Sequence, residues 1–189
     1  PDKVAAIWAN IESTSLMDIL RVPFYLMLFA LSIADSDEMP SGSAGVLSTF
    51  IRKSLRREID RPNPLFQPDA LISRRDYVRL TRVRQWTHEK ALPDSGPLLP
   101  ALSAIALTLQ EVGQLGTADH AELGFERLVE LAGNQSADDL LEGGIALGLL
   151  TDDVERNVVT FSHRVMQDFF VARVLAKAAQ PERASCQWQ

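Results

Sequence analysis

Apolar residues recur every three or four positions over most of this chain, and that period constrains its fold more than any other feature. Val4, Ile7, Trp8 and Ile11 fall at i, i+3, i+4 and i+7. Leu26, Phe29, Ala30 and Ile33 repeat the spacing, as do Leu47, Ile51, Leu55 and Ile59, and later Leu102, Ile105, Ala106 and Leu109. Residues at these offsets share one side of a helix, so each run predicts a helix with a face to bury. The texture changes once. Gly148-Leu-Leu-Thr151 and Val158-Val-Thr-Phe-Ser162 are short and apolar or β-branched, and the charged tip Asp152-Asp-Val-Glu-Arg-Asn157 lies between them. That pattern predicts a β-hairpin. A last helix is expected from about His163 to Ala179, with Val165, Met166, Phe169, Phe170, Ala172 and Val174 as its apolar set.

Proline and glycine divide the rest. A short helix is expected over Leu16 to Leu20, and Pro23 suits the first turn of the next, where its missing N–H is not needed. The apolar stretch Val22 to Ala34 has thirteen residues, against the roughly 20 that a membrane span needs, so it predicts a helix at the centre of a bundle. The helix Ser43 to Ile59 places Arg52, Lys53, Arg56 and Arg57 opposite its apolar rows, and Arg61-Pro-Asn-Pro64 and Pro68 then break the chain. Leu71 to Leu92 reads as a basic helix that ends at Pro93-Asp-Ser-Gly-Pro97. Leu98 to Val112, Glu122 to Leu131 and Ala137 to Leu147 are further helices. Three helices, a hairpin and a trailing helix describe a winged helix. The expected fold is therefore mainly α: a helical domain over residues 1–64, a basic helical connector over 65–97, a winged-helix domain with one β-hairpin over 98–180, and a tail over 181–189.

Charge and cysteine usage narrow the function. Residues 52–90 hold eleven Lys/Arg and five Asp/Glu, a balance of +6, while the remainder holds eight and twenty, a balance of −12. A basic middle with acidic flanks fits a solvated helix face, internal domain contacts or an anionic ligand, not a protein coating nucleic acid along its length. The single cysteine, Cys186, allows no internal disulfide, and a cytoplasmic setting is expected. Pro1 and Gln189 read as the ends of a piece of a longer protein. No phosphate loop is present, since Gly42-Ser-Ala-Gly45 is too short and no Lys follows it. His88, His120 and His163 are far apart, and neither Asp35/Asp37/Glu38 nor Asp152/Asp153 has calcium-loop spacing, so no metal site is expected. No Ser/His/Asp or Cys/His set can be assembled. The chain is not expected to be an enzyme by itself.

His163 stands where the second hairpin strand hands over to the last helix. A helix N-terminus carries free N–H groups and partial positive charge, so an imidazole there can help to meet a phosphate, or it can simply cap the junction. The surrounding string, Phe161-Ser-His-Arg-Val-Met-Gln-Asp-Phe-Phe-Val-Ala-Arg173, resembles the segment that ends the winged-helix domain of NACHT-type STAND nucleotide switches. The family pattern there is Phe-x-His-x-x-Phe-Gln-Glu-Tyr/Phe-Phe/Leu-Ala-Ala. Phe161, His163, Gln167, Phe169, Phe170 and Ala172 match it; Met166 stands for Phe, Asp168 for Glu and Val171 for Ala. Upstream, Leu20-Arg-Val-Pro-Phe-Tyr-Leu-Met-Leu28 is similar to the family's Asn-Pro-Leu-x-Leu segment, with Pro23 and Leu26 matching, Val22 in place of Asn and Phe24 in place of Leu.

The resemblance implies a regulatory fragment that lies after a P-loop core. In such proteins the helical and winged-helix domains close over ADP. The motif proline packs near the adenine and the winged-helix histidine reaches the β-phosphate, roles that fall on Pro23 and His163. Exchange of ADP for ATP, with Mg held in the parent core, frees the winged-helix unit and permits homo-oligomerisation and signalling, as in defence and innate immunity. The implied partners are the P-loop core of the same chain and further copies of it; no membrane or nucleic acid is expected. Two other readings stay open. One is a protein-interaction scaffold without a nucleotide role. The other is a DNA-binding winged helix, disfavoured because Ala137 to Leu147 contains no Lys or Arg and the tip Asp152 to Arg156 is net acidic.

Overall fold

The computed structural model describes residues 19–33, 40, 42–82, 86, 88, 90–115 and 122–178. The expected helix Val4–Ile11, most of Leu16–Leu20, the loop after Ala34 apart from Pro40 and Gly42, His120, and the tail with Cys186 lie outside them. The fold is mainly helical, with a small three-stranded antiparallel sheet. It divides into two compact units. The first comprises Pro1–Arg57 and Val78–Pro93, the second Glu58–Tyr77 and Asp94–Gln189. This differs from the expected division: the segment 65–97 is no separate connector, because its two ends belong to the second unit and its middle to the first.

In the first unit, α1 (Pro23–Ile33) starts at its proline, as the missing N–H predicts. It buries Leu28 and Phe29 but leaves Leu26, Met27 and Leu31 about half exposed, at 52%, 51% and 54%. The expectation of a helix buried all round is thus corrected, since the unit covers one side of it only. Helix α2 (Gly42–Asp60) buries Val46, Leu47, Ile51 and Leu55. Its basic side chains are only partly a solvated face: Arg57 is exposed, while Arg52 and Arg56 make the internal contacts that were the other expectation. Arg52 is only 5% exposed; its Nη1 donates to the Ala91 carbonyl at 2.9 Å and its Nη2 to Thr49 Oγ1 at 3.0 Å. Arg56 Nε donates to the Leu80 carbonyl at 2.9 Å, and Lys53 Nζ to that of Leu31 at 3.4 Å. Leu31 and Leu80 sit in the last turns of α1 and of α3 (Arg74–Arg82), where helical carbonyls lack partners. Lys53 and Arg56 therefore cap the ends of α1 and α3, while Arg52 holds the irregular chain at Ala91. The guanidinium carbons of Arg52 and Arg79 also stand 5.1 and 4.2 Å from the centre of the Trp86 ring, within cation–π range.

Among the described residues, the basic helix expected over Leu71 to Leu92 is α3 alone. Leu71 and Ile72 are buried before it in extended chain, Ser73 Oγ accepts the Asp76 N–H at its start, and Leu92 is buried in irregular chain. In the second unit Asp76, 2% exposed, accepts the N–H groups of Ser95 (2.7 Å) and Gly96 (3.1 Å). One carboxylate thus ties together two segments nineteen and twenty residues apart in sequence. Its loss strands two backbone donors. Asp76→Ala is expected to cost about 2–3 kcal/mol, and Asp76→Asn, which keeps an acceptor, less; urea unfolding of both variants reads the difference.

The rest of the second unit runs α4 (Leu98–Leu115), β1 (Leu123–Gly124), α5 (Phe125–Ala132), α6 (Ala137–Ala146), β2 (Leu150–Asp153), β3 (Val158–Phe161) and α7 (Arg164–Lys177). Helix α4 buries Leu98, Leu99 and the expected row Leu102, Ile105, Ala106 and Leu109. Ser136 Oγ caps α6 through the Asp139 N–H. The hairpin forms with Leu150 opposite Phe161 and Asp153 opposite Val158, and Asn157 takes a positive φ at its tip. Strand β1 adds to its other edge, with Leu123 opposite Val159, in the order β1-β3-β2. The most extensive helix–helix contact joins α4 and α7. Helix α7 buries Met166, Phe169 and Phe170 as expected, but also Val171 and Leu175, whereas Ala172 is exposed and Val165 and Val174 are half-buried.

Candidate functional site

His163 lies at the turn from β3 into α7 because Phe161 ends the strand in the core and the helix begins three residues later, at Arg164. Its backbone is extended (φ −151°, ψ 134°), the conformation of an N-cap, and its Nδ1 accepts the Val165 N–H at 3.3 Å. A neutral ring that accepts at Nδ1 carries its proton on Nε2 and is a donor there. The imidazole is half-buried. The ring caps the helix, which is one of the two uses considered from sequence.

The rest of the motif is mostly core. Phe161 and Phe170 stand 5.9 Å apart between ring centres, and Phe169 and Phe170 5.5 Å at a near-perpendicular angle. Gln167, 4% exposed, donates from Nε2 to Gln110 Oε1 at 3.4 Å. Arg164 Nη2 reaches the same oxygen at 3.3 Å, while its Nε pairs with Asp168 at 3.0 Å. Gln110 on α4 is the partner that sequence reasoning missed. It is 57 residues from Gln167, and no local spacing announces the pair. These contacts orient the first turns of α7, and with them His163.

Pro23 is exposed at the first position of α1, in the first unit, while His163 belongs to the second. An exposed proline ring offers a flat apolar face with no donor to leave unpaired, as an adenine contact needs. Among the described residues no group of three His, Cys, Asp or Glu side chains is placed to hold a metal ion. No described helix is long and apolar enough to cross a membrane.

The order α4-β1-α5-α6-β2-β3, with a three-stranded antiparallel sheet in the order β1-β3-β2, makes the second unit a winged helix. No protein-family model, curated protein or solved structure matches the chain.

Proposed function

We propose that this chain is the lid and winged-helix part of a cytoplasmic NACHT-type STAND nucleotide switch. It helps to hold ADP in a closed state, and ATP exchange releases it to permit oligomerisation and signalling. The P-loop core and the Mg site belong to the parent protein, and this part is not an enzyme. The observation that carries the reading is His163 as the N-cap of the helix that follows the wing, inside a motif whose Phe161, Gln167, Phe169 and Phe170 are buried. A bond from an imidazole N–H to phosphate is charge-assisted through the anion, about twice as strong as a neutral one. The exposed apolar side chains of α1 around Pro23 further suit a surface that a core domain covers.

The scaffold reading draws on one observation of its own: His163 Nδ1 is already engaged in capping, which is a sufficient structural role. A nucleic-acid reader gains no support, because Asp138, Asp139 and Glu142 are exposed on α6, and Arg156 at the wing tip is held by both oxygens of Glu122 at 2.6 Å.

The test is to purify the longer parent protein as wild type and as His163→Ala, denature it by heat and measure released nucleotide by chromatography. Wild type is expected to retain ADP and the folded variant to lose most of it. The lost cap costs about 1 kcal/mol, so the variant should stay folded. No nucleotide in either protein would establish the scaffold reading. Equal ADP in both would remove His163 from the site.

A further inference from the structure

A groove between α4 and the C-terminal half of α7 is used by neither reading above. Its volume is about 550 Å³, within the range of small-molecule sites. Leu99, Ala104 and Leu107 from α4 and Val174 from α7 are among its apolar walls. Its charged groups are linked to one another. Arg173 Nη2 donates to both oxygens of Asp94 at 2.8 and 2.7 Å, and Lys177 Nζ pairs with Asp94 at 2.6 Å. The Phe169 ring lies 5.7 Å from the guanidinium carbon.

Two features of this cluster favour an anionic ligand. Two cations share one carboxylate, so the cluster keeps one net positive charge. Arg173 Nη1 is buried and has no hydrogen-bond partner. Buried donors are nearly always satisfied, and a charged one left unsatisfied is costly. Burial lowers the Arg173 pKa and Asp94 pushes it the other way, as expected for a cation withdrawn from water and only partly compensated. Nη1 itself is closed to solvent, but the part of Arg173 that lines the groove is already fixed by Asp94 and by an aromatic face, so meeting an anion there costs little entropy.

We propose that this groove binds a small amphiphile, whose carboxylate is received by Arg173 and Lys177 and whose hydrocarbon part lies against Leu99, Ala104, Leu107 and Val174. The site lies wholly in the winged-helix unit, and the inference does not depend on the nucleotide reading.

Calorimetric titration of the full chain with decanoate, below the concentration at which it self-associates, tests this. Decanol serves as the uncharged control. Arg173→Met removes the guanidinium. Ala104→Phe fills the groove from a half-buried position and leaves the charged cluster intact, so it remains informative if Arg173→Met fails to fold. Saturable binding of decanoate is expected, weakened at least about ten-fold by either substitution, with decanol at least about ten-fold weaker on wild type. Absence of saturable decanoate binding would overturn the proposal. So would undiminished binding by folded Ala104→Phe, or equal affinity for decanol.

Discussion

Alanine in place of Phe170 is expected to lower the stability of the winged-helix unit by about 3–5 kcal/mol. The side chain is fully buried and lies against Phe161 at the end of β3 and Phe169 on its own helix. Truncation loses the transfer free energy of the ring and leaves a cavity where strand and helix meet, with little freedom to collapse because both neighbours are themselves fixed. Urea unfolding monitored by circular dichroism reads the effect as a lower midpoint at unchanged slope. Phe170→Leu, which refills most of the space, should recover more than half of the loss. A change below about 1 kcal/mol for Phe170→Ala would mean that the β3–α7 junction, which positions His163, is not a packed core.

Gly96→Ala is expected to be comparably severe although it adds a single methyl group. A Cβ at Gly96 would lie 2.6 Å from the Ile72 Cα, 2.7 Å from the Ser73 nitrogen and 2.8 Å from the Leu71 oxygen. All three are backbone atoms and cannot rotate away. The two segments must separate, which also weakens the bonds from Gly96 N–H to Asp76 and from Leu98 N–H to the Leu71 carbonyl. Overpacking alone costs about 1–3 kcal/mol, and the strained hydrogen bonds bring the expected loss to about 3 kcal/mol or more. For a chain of this size that lowers the melting temperature by about 6–12 °C. Gly124→Ala is the control, since a Cβ there meets nothing within 4 Å; Gly124 is the N-cap of α5, where Ala is a poorer cap, so the loss should not exceed about 1 kcal/mol. Equal melting temperatures for the two variants would rule out the close approach at Gly96.

The two substitutions differ in what announces them. Phe170 stands in an aromatic pair within a helical run, and its burial follows from local periodicity. Nothing around Gly96 distinguishes it from an ordinary loop glycine, because its constraint comes from Leu71, Ile72 and Ser73, which only folding brings near. The candidate site divides in the same way. His163 was identifiable from its place between strand and helix, and its capping bond reaches only two residues along the chain. Gln110 lies 57 residues from the Gln167 it holds, and Asp94 lies 79 and 83 residues from the Arg173 and Lys177 it joins.

By itself the sequence determined the helical class, the hairpin β2–β3, the start of α1 at Pro23 and the buried row of α4. Each follows from local periods and turn chemistry that act within a few residues. Tertiary structure alone decided three things. Strand β1 is only two residues long and exists because β3 offers it a free edge. Arg52 and Arg56 of α2 turn inward because carbonyls of other segments lie within their reach. The segment 65–97 is shared between two units because Asp76 and Gly96 join its ends in one core. In each case the deciding partner is distant in sequence, and a long-range contact is selected by the free energy of the whole packed unit, not by the residues that flank it.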